Sequence, residues 1–337
     1  MIGAMALATR ALGRDGPDLS TVGLGAWAIG GGGWSFGWGP QDDEQSIAAI
    51  RHALDLGVNW IDTAAEYGLG HSEEVVGRAV KDVTDAERPL IFTKCGFVWD
   101  PNDPMQPSKQ ILKPESVRRE CEASLRRLGV NHIDLYQFHA PDETGTPIED
   151  SWNEMARLAD EGKVRWCGVS NFTTELLDRC EAIRHVDSLQ PPFSLIERDT
   201  AADVLPWCRQ HGTGVICYSP LSSGLLTTSF SKERVERMAD DDWRKRDESF
   251  RHPALERNLA LRDGLQPIAQ RHSTTVEAVA IAWVLAWEGV TGAIVGARSP
   301  RQVDGWIAGA GLDLTETDLD DINREIVRSR AGSGRVY

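Results

Sequence analysis

Residues 58–68 read Val58-Asn59-Trp60-Ile61-Asp62-Thr63-Ala64-Ala65-Glu66-Tyr67-Gly68. The run 58–62 is short, β-rich and closed by a carboxylate, so it reads as a strand that delivers Asp62 to a loop carrying Tyr67. The same figure recurs along the chain. Short β-rich runs at 22–26, 58–62, 90–94, 133–139, 164–170, 188–190, 214–219 and 292–295 alternate with amphipathic helical stretches. Such alternation is the pattern of βαβ units around a parallel sheet, and eight strands predict an α/β fold of the (β/α)8 barrel (TIM barrel) type. A short N-terminal hairpin and a long loop after the seventh strand complete the expected layout, with residues 1–337 forming a single barrel domain.

Local signals support the helices. Pro114 followed by Glu115 opens one, Thr173-Thr174-Glu175 opens another, and Gly162 and Gly212 stand where helices would end. The segment 222–253 is long, charged and without clear periodicity, which in a compact domain marks a functional or mobile loop. The run Gly30-Gly31-Gly32-Gly33, beside Trp34, Phe36 and Trp38, reads as a turn-forming active-site loop. Trp283 and Trp287, four apart on a helix, read as core.

Composition narrows the function. A hydrophobic fraction of 41% supplies a sizeable core, and no stretch approaches the ~20 apolar residues of a membrane span. The net charge of -15 repels nucleic acid and anionic membranes, so neither is an expected partner. Arg244, Lys245 and Arg246 are interleaved with Asp240, Asp241, Asp242 and Asp247 and read as a solvated mixed-charge loop. Cys95, Cys121, Cys167, Cys180, Cys208 and Cys217 lack ligand spacing, which points to buried reduced thiols and no metal site. Residues 1–10 do not form a secretory signal, so a cytoplasmic location is expected.

In a barrel of this type the active site gathers at the carboxyl ends of the strands. Asp62 closes the second strand, Lys94 the third, His139 the fourth, and Ser170 with Asn171 the fifth. An ammonium beside a phenol lowers the phenol's pKa, and a carboxylate holds that ammonium charged and in place. Tyr67 could then protonate a carbonyl oxygen while His139 donates a hydrogen bond to it. Each residue alone has a plainer reading, as a cap, a surface charge or a structural imidazole; the set at successive strand ends does not.

The flanking motifs are Trp60-Ile61-Asp62-Thr63-Ala64 with Tyr67-Gly68 and Ser72-Glu73, then Thr93-Lys94, Gln137-Phe138-His139, Gly168-Val169-Ser170-Asn171-Phe172 and Tyr218-Ser219-Pro220-Leu221. Together they resemble the aldo-keto reductases over nearly the whole chain. The resemblance implies a catalytic tetrad of Asp62, Tyr67, Lys94 and His139 and a nicotinamide cofactor. By the same resemblance Ser170, Asn171 and Gln190 bind the nicotinamide carboxamide and Tyr218 stacks on the ring. No dinucleotide fingerprint of the GxGxxG kind competes with this reading. The segment Ser219, Leu221, Ser223, Gly224 and Leu225 suits a pyrophosphate, and Gly296, Arg298 and Gln302 would hold the 2′-phosphate, which favours NADPH/NADP+ over NADH. Relatives carry an acidic residue and an Asn one turn beyond the Gln, where Gly305 and Trp306 stand here. Trp27, at the end of the first strand, belongs with these contacts and is the best candidate for an aromatic wall, with Trp34, Trp38 and Trp99 near other loops.

The resulting expectation is an oxidoreductase that reduces the carbonyl of a small aldehyde or ketone with NADPH, as a monomer or homo-oligomer. Two alternatives use the same residues: an NAD(P)+-dependent sugar or alcohol dehydrogenase, and a binding protein like the nucleotide-sensing subunits of potassium channels.

Overall fold

The computed structural model describes residues 7–84, 87–240 and 242–337. Part of the N-terminal stretch 1–10, and Asp241 of the mixed-charge loop, lie outside the described residues.

Eight parallel strands close a barrel in chain order: Val22–Gly25, Trp60–Asp62, Leu90–Cys95, Ile133–Phe138, Val164–Ser170, Ser188–Gln190, Gly214–Cys217 and Val290–Gly296. All eight expected strands are present; 164–170 and 188–190 match at both ends, and the edges of the others differ by at most two residues. The second begins at Trp60 because the two residues before it serve other ends: Val58 N–H bonds Ala53 O, and the Asn59 side chain bonds Ser20 N–H. The hairpin is Thr9–Ala11 against Asp18–Ser20, antiparallel, and it lies ahead of the first barrel strand.

The two-residue period of a strand sorts the barrel interior into layers. Register sets Asp62 beside Phe92, Lys94 beside Gln137, and Gln190 beside Ser170. One inward layer is therefore apolar, and Trp60, Phe92, Leu135 and Ile216 pack there with Leu12 and Leu19 of the hairpin. Two residues further along the strands the inward side chains become Asp62, Lys94, Gln137 and Gln190, a polar layer beneath the mouth. Outward residues such as Leu24, Ile61, Ile91, Tyr136, Val169 and Val215 join the larger core against the helices. Trp60 fills the bore only because Gly23 faces it: a Cβ at Gly23 would stand 2.2 Å from the indole.

The helix signals hold. Pro114 is the first residue of Pro114–Leu128, and the Thr173 hydroxyl accepts from Leu176 N–H at the start of Thr174–Glu181. Gly212, at φ 71°, ends Val204–His211, and Gly162, at φ 73°, follows the end of Ile148–Asp160. Trp283 is fully buried, whereas Trp287 is only partly so. All six cysteines are buried.

The segment 222–253 has more regular structure than a plain loop, and its charged cluster departs from the expected solvated reading. It contains a helix, Lys232–Glu236, and 3-10 turns at Ser222–Gly224, Trp243–Lys245 and Glu248–Phe250. Arg244 is buried: its guanidinium grips the Asp242 carboxylate at 2.6 and 2.9 Å and covers the Trp38 ring at 4.4 Å. The alternation of charges that suggests solvent exposure instead supplies one internal ion pair, while Lys245 pairs at the surface with Asp240. Among the described residues no helix is long and apolar enough to cross a membrane, and no three His, Cys, Asp or Glu side chains gather as for a metal ion.

Candidate active site

A cavity of about 710 Å³ opens at the carboxyl ends of the strands. Its floor is the polar layer. Lys94 is fully buried, with Nζ 2.6 Å from Asp62 Oδ2, 2.9 Å from the Thr63 carbonyl and 3.4 Å from Tyr67 Oη. His139 follows the fourth strand, its N–H bonded to Cys95 O, and its ring meets that of Tyr67 edge to face at 5.6 Å. The four residues of the expected tetrad are thus brought together. Close backbone contact seats Tyr67: Gly30 lies against the Tyr67-Gly68 peptide, where a Cβ would come within 2.6 Å of Gly68 N. The glycine run therefore sets the position of the loop that bears Tyr67, and its neighbours Trp34, Phe36 and Trp38 line the cavity.

The electrostatics correct one expectation. Lys94 does not pull the Tyr67 phenol down; burial first, then the charges of Asp62, Glu66 and Tyr218, push it well above its usual value. Desolvation also lowers Lys94, against the opposing pull of Asp62. In a dry site the cost of making phenolate exceeds what one ammonium at 3.4 Å returns. Tyr67 is thereby kept protonated. Burial, followed by the nearby Lys94, drives His139 well below the ordinary imidazole value, which keeps it neutral.

The expected cofactor contacts fall into three groups. Ser170, Asn171, Gln190 and Tyr218 line the cavity next to the tetrad but are tied into a network. Ser170 donates to Gln190 O, Asn171 to His139 O, and Tyr218 to Asn171 Oδ1. The Gln190 amide donates to Asp62 Oδ1 at 2.8 Å, so it braces the tetrad instead of pointing freely at a ligand. Next come Ser219, Leu221, Ser223 and Gly224, which line the middle of the cavity; Ser219, Ser222 and Ser223 are held at positive φ, a strained backbone that persists where function requires it. Leu225 is not brought in, for its side chain is buried in the core.

At the far end stand Gly296, Arg298 and Gln302. The backbone N–H of Arg298 donates to Gln302 Oε1 at 2.7 Å, so two of the three residues expected at the phosphate are bonded to each other. The Arg298 guanidinium folds onto the loop after the first strand, donating to Gln41 Oε1, Trp38 O and Pro40 O. These acceptors are neutral, and the carboxylate that acts on Arg298 from a distance, Asp242, is already gripped by Arg244. Arg234, Arg244 and Arg301 line the same end of the cavity.

Trp27 lines the cavity and lies over Tyr67, ring centroids 6.1 Å apart. Trp99 does not line the cavity. Sequence reasoning missed Glu66, Phe97, Trp243, Arg234, Arg244 and Glu277, all at or beside the cavity. The signal for Glu66 was available, since it adjoins Tyr67; the others come from loops whose approach depends on distant partners.

Comparison with known proteins agrees with this architecture. The profile of the aldo/keto reductase family matches residues 22–326. The chain is 37% identical over 309 residues to aldo-keto reductase YhdN of Bacillus subtilis (strain 168), covering 91% of this chain and 90% of that one. It is 33% identical to the NADH-specific methylglyoxal reductase of Escherichia coli (strain K12), covering 91% and 94%. Among solved structures, glycerol dehydrogenase AKR11B4 from Gluconobacter oxydans superposes with a TM-score of 0.86 at 38% identity, over 99% of each chain. An oxidoreductase barrel is the class that fold and comparisons define together. The chain belongs to the aldo-keto reductase family.

Proposed function

We propose that the chain, a single domain working in the cytoplasm, reduces aldehydes or ketones to alcohols with NADPH and with Tyr67 as the general acid. The observation that carries this reading is the sequence of contacts Asp62, Lys94, Tyr67 on the floor of a deep cavity, with His139 beside the phenol. The cavity suits a dinucleotide: polar groups sit at the tetrad, a strained serine turn lies midway, and four guanidiniums ring the far end. Ser170, Asn171 and Tyr218 would hold the nicotinamide end, and Arg298 with its neighbouring cations the phosphates. When bound, the cofactor supplies the hydride to the carbonyl carbon.

The chain's own residues do the rest. Tyr67 gives its hydroxyl proton to the carbonyl oxygen, and the phenolate left behind is stabilised by Lys94, whose charge Asp62 maintains. His139, held neutral, donates a hydrogen bond that orients the carbonyl oxygen toward Tyr67. Trp27, Phe36, Phe97 and Trp38 wall the entry and suit small, weakly polar substrates.

A second reading reverses the direction. It draws support from the relationship to a glycerol dehydrogenase, and would have Tyr67, deprotonated, accept the proton of an alcohol. The test is fluorescence titration with NADPH and NADH, followed by a panel of aldehydes, ketones and polyols in both directions. Carbonyl-dependent NADPH oxidation that falls by about a hundredfold or more in Tyr67→Phe supports the reductase, in the range a lost general acid costs. Polyol-dependent reduction of NADP+ or NAD+ with no carbonyl turnover favours the second reading, and wild-type turnover by Tyr67→Phe removes Tyr67 from the chemistry.

A further inference from the structure

Glu66 precedes Tyr67 and lines the cavity, yet the chemistry above gives it nothing to do. It is 6% exposed, and its Oε1 is buried without a hydrogen-bond partner among the described residues. Its Oε2 lies 4.0 Å from Nδ1 of His139, about 1 Å beyond hydrogen-bond contact and within reach of a small side-chain rotation. Around this pair stand Tyr67 from the same loop, Lys94 and Asp62 from the barrel floor, and the Ser108 hydroxyl, which helps to hold the Glu66 carboxylate. Phe97 closes the far side, its ring edge to face with that of His139 at 4.6 Å.

The proton count on His139 makes Glu66 matter. A neutral imidazole carries one N–H, on either Nδ1 or Nε2. With Nδ1 turned to Glu66, only Nε2 is left for a substrate oxygen, and it donates only if Nδ1 is bare. A carboxylic acid at Glu66 donates its O–H toward Nδ1 and leaves the ring proton on Nε2. A carboxylate does the reverse: it accepts from Nδ1–H, and Nε2 becomes a lone pair facing the lone pairs of the carbonyl oxygen.

We propose that Glu66 is a positioning residue that selects the tautomer of His139. In its acid form it fixes the Nε2–H ring that can hydrogen-bond a carbonyl, and in its carboxylate form the Nδ1–H ring that cannot. The change releases one proton from Glu66 to solvent and moves the imidazole proton from Nε2 to Nδ1, with no other group altered. The inference rests on the hydrogen-bonding role given to His139 above. Burial, opposed by Ser108, pushes the Glu66 carboxyl up to about 7, so the exchange falls within the working range.

The pH profile of kcat/KM for carbonyl reduction tests it. Wild type should lose activity above about pH 7, by about a hundredfold, as for the loss of one oriented donor to a developing oxyanion. In Glu66→Gln the amide N–H donates to Nδ1 at every pH, and the alkaline limb should move up by at least about one pH unit. Glu66→Leu should be slow at every pH, with that limb absent. An unchanged limb in Glu66→Gln overturns the proposal. Nitrogen-15 NMR of His139 in the NADP+-bound wild type, assigned with His139→Asn, gives a second decision even if the variants do not fold. Nε2–H below pH 7 and Nδ1–H above it are expected, and one tautomer throughout overturns the proposal. A protein that turns over no carbonyl at any pH fails the proposed activity instead, and the NMR result still decides the tautomer.

Discussion

The indole of Trp243 lies on that of Trp27, ring centroids 5.3 Å apart and planes 19° from parallel. This contact fastens the loop after the seventh strand to the loop after the first. Arg246 adds a hydrogen bond to Ser35 O at 2.9 Å, and Arg244 covers Trp38. The two loops roof the cavity between its catalytic and cationic ends.

Trp243→Ala should loosen that roof without touching the floor. An aromatic pair contributes about 0.5–1.5 kcal/mol beyond its buried area, so dinucleotide affinity should fall by about tenfold or less. Proteolysis between Thr227 and Arg251 should quicken in the free protein. Affinity and cleavage both equal to wild type would show that the stack fastens nothing.

Lys94 and Asp62 are a buried pair, and removing one partner strands the other. Lys94→Met should cost about 3–5 kcal/mol in urea unfolding and abolish turnover. Adding Asp62→Leu should restore most of the stability and none of the activity. Stability lost equally in single and double variants would show that the methionine packs badly and that the ion pair is not the cause.

Arg298→Ala should weaken NADPH by about ten- to a hundredfold, as for one charge-assisted phosphate contact, and NADH far less. Equal losses for both cofactors would assign Arg298 to the scaffold, where it already ties down Trp38, Pro40 and Gln41. A direct measurement is the difference between the two titrations.

Glu66 also affects stability through its proton. Its folded pKa is raised from 4.5 to about 7, so between those values the folded state binds the proton that the unfolded chain has released. Stability contributed by this group is therefore present at low pH, falls as pH rises from about 4.5 to 7, and levels off above. Glu66→Gln should remove that slope, gaining on wild type by about 1–3 kcal/mol between pH 5 and 7.5. A stability difference independent of pH would show that the carboxyl does not titrate in this range.

The floor of the site was legible in the sequence because strand geometry delivers it. A run such as 58–62 is local, its side chains alternate, and its last inward residue must face the mouth, so Asp62, Lys94 and Ser170 could be placed without knowing their neighbours. The roof was not legible for the opposite reason. Arg244 reads as a surface charge within its own charge-rich stretch and is buried only because Trp38, 206 residues earlier by numbering (244 minus 38), arrives beneath it. Arg298 shows the intermediate case: its position at the end of the eighth strand was readable, but its attachment to Gln41 was not. The sign of the Tyr67 shift was missed because spacing shows which charges are near and says nothing of how dry the site is.

Among the described residues, Leu12 and Leu19 of the hairpin, with Trp60 and Phe92 above them, plug the barrel at the end away from the cavity and make it a blind cup. Lys94 sits near the bottom of its polar layer with no exposure to solvent. On the chemistry proposed for Tyr67, the protons that restore it after each turnover would therefore arrive from the rim, past the bound substrate or after it has left. Turnover by that route would be coupled to emptying the vessel, so that the exchange of product for water at the mouth would also be the step at which the proposed acid is recharged.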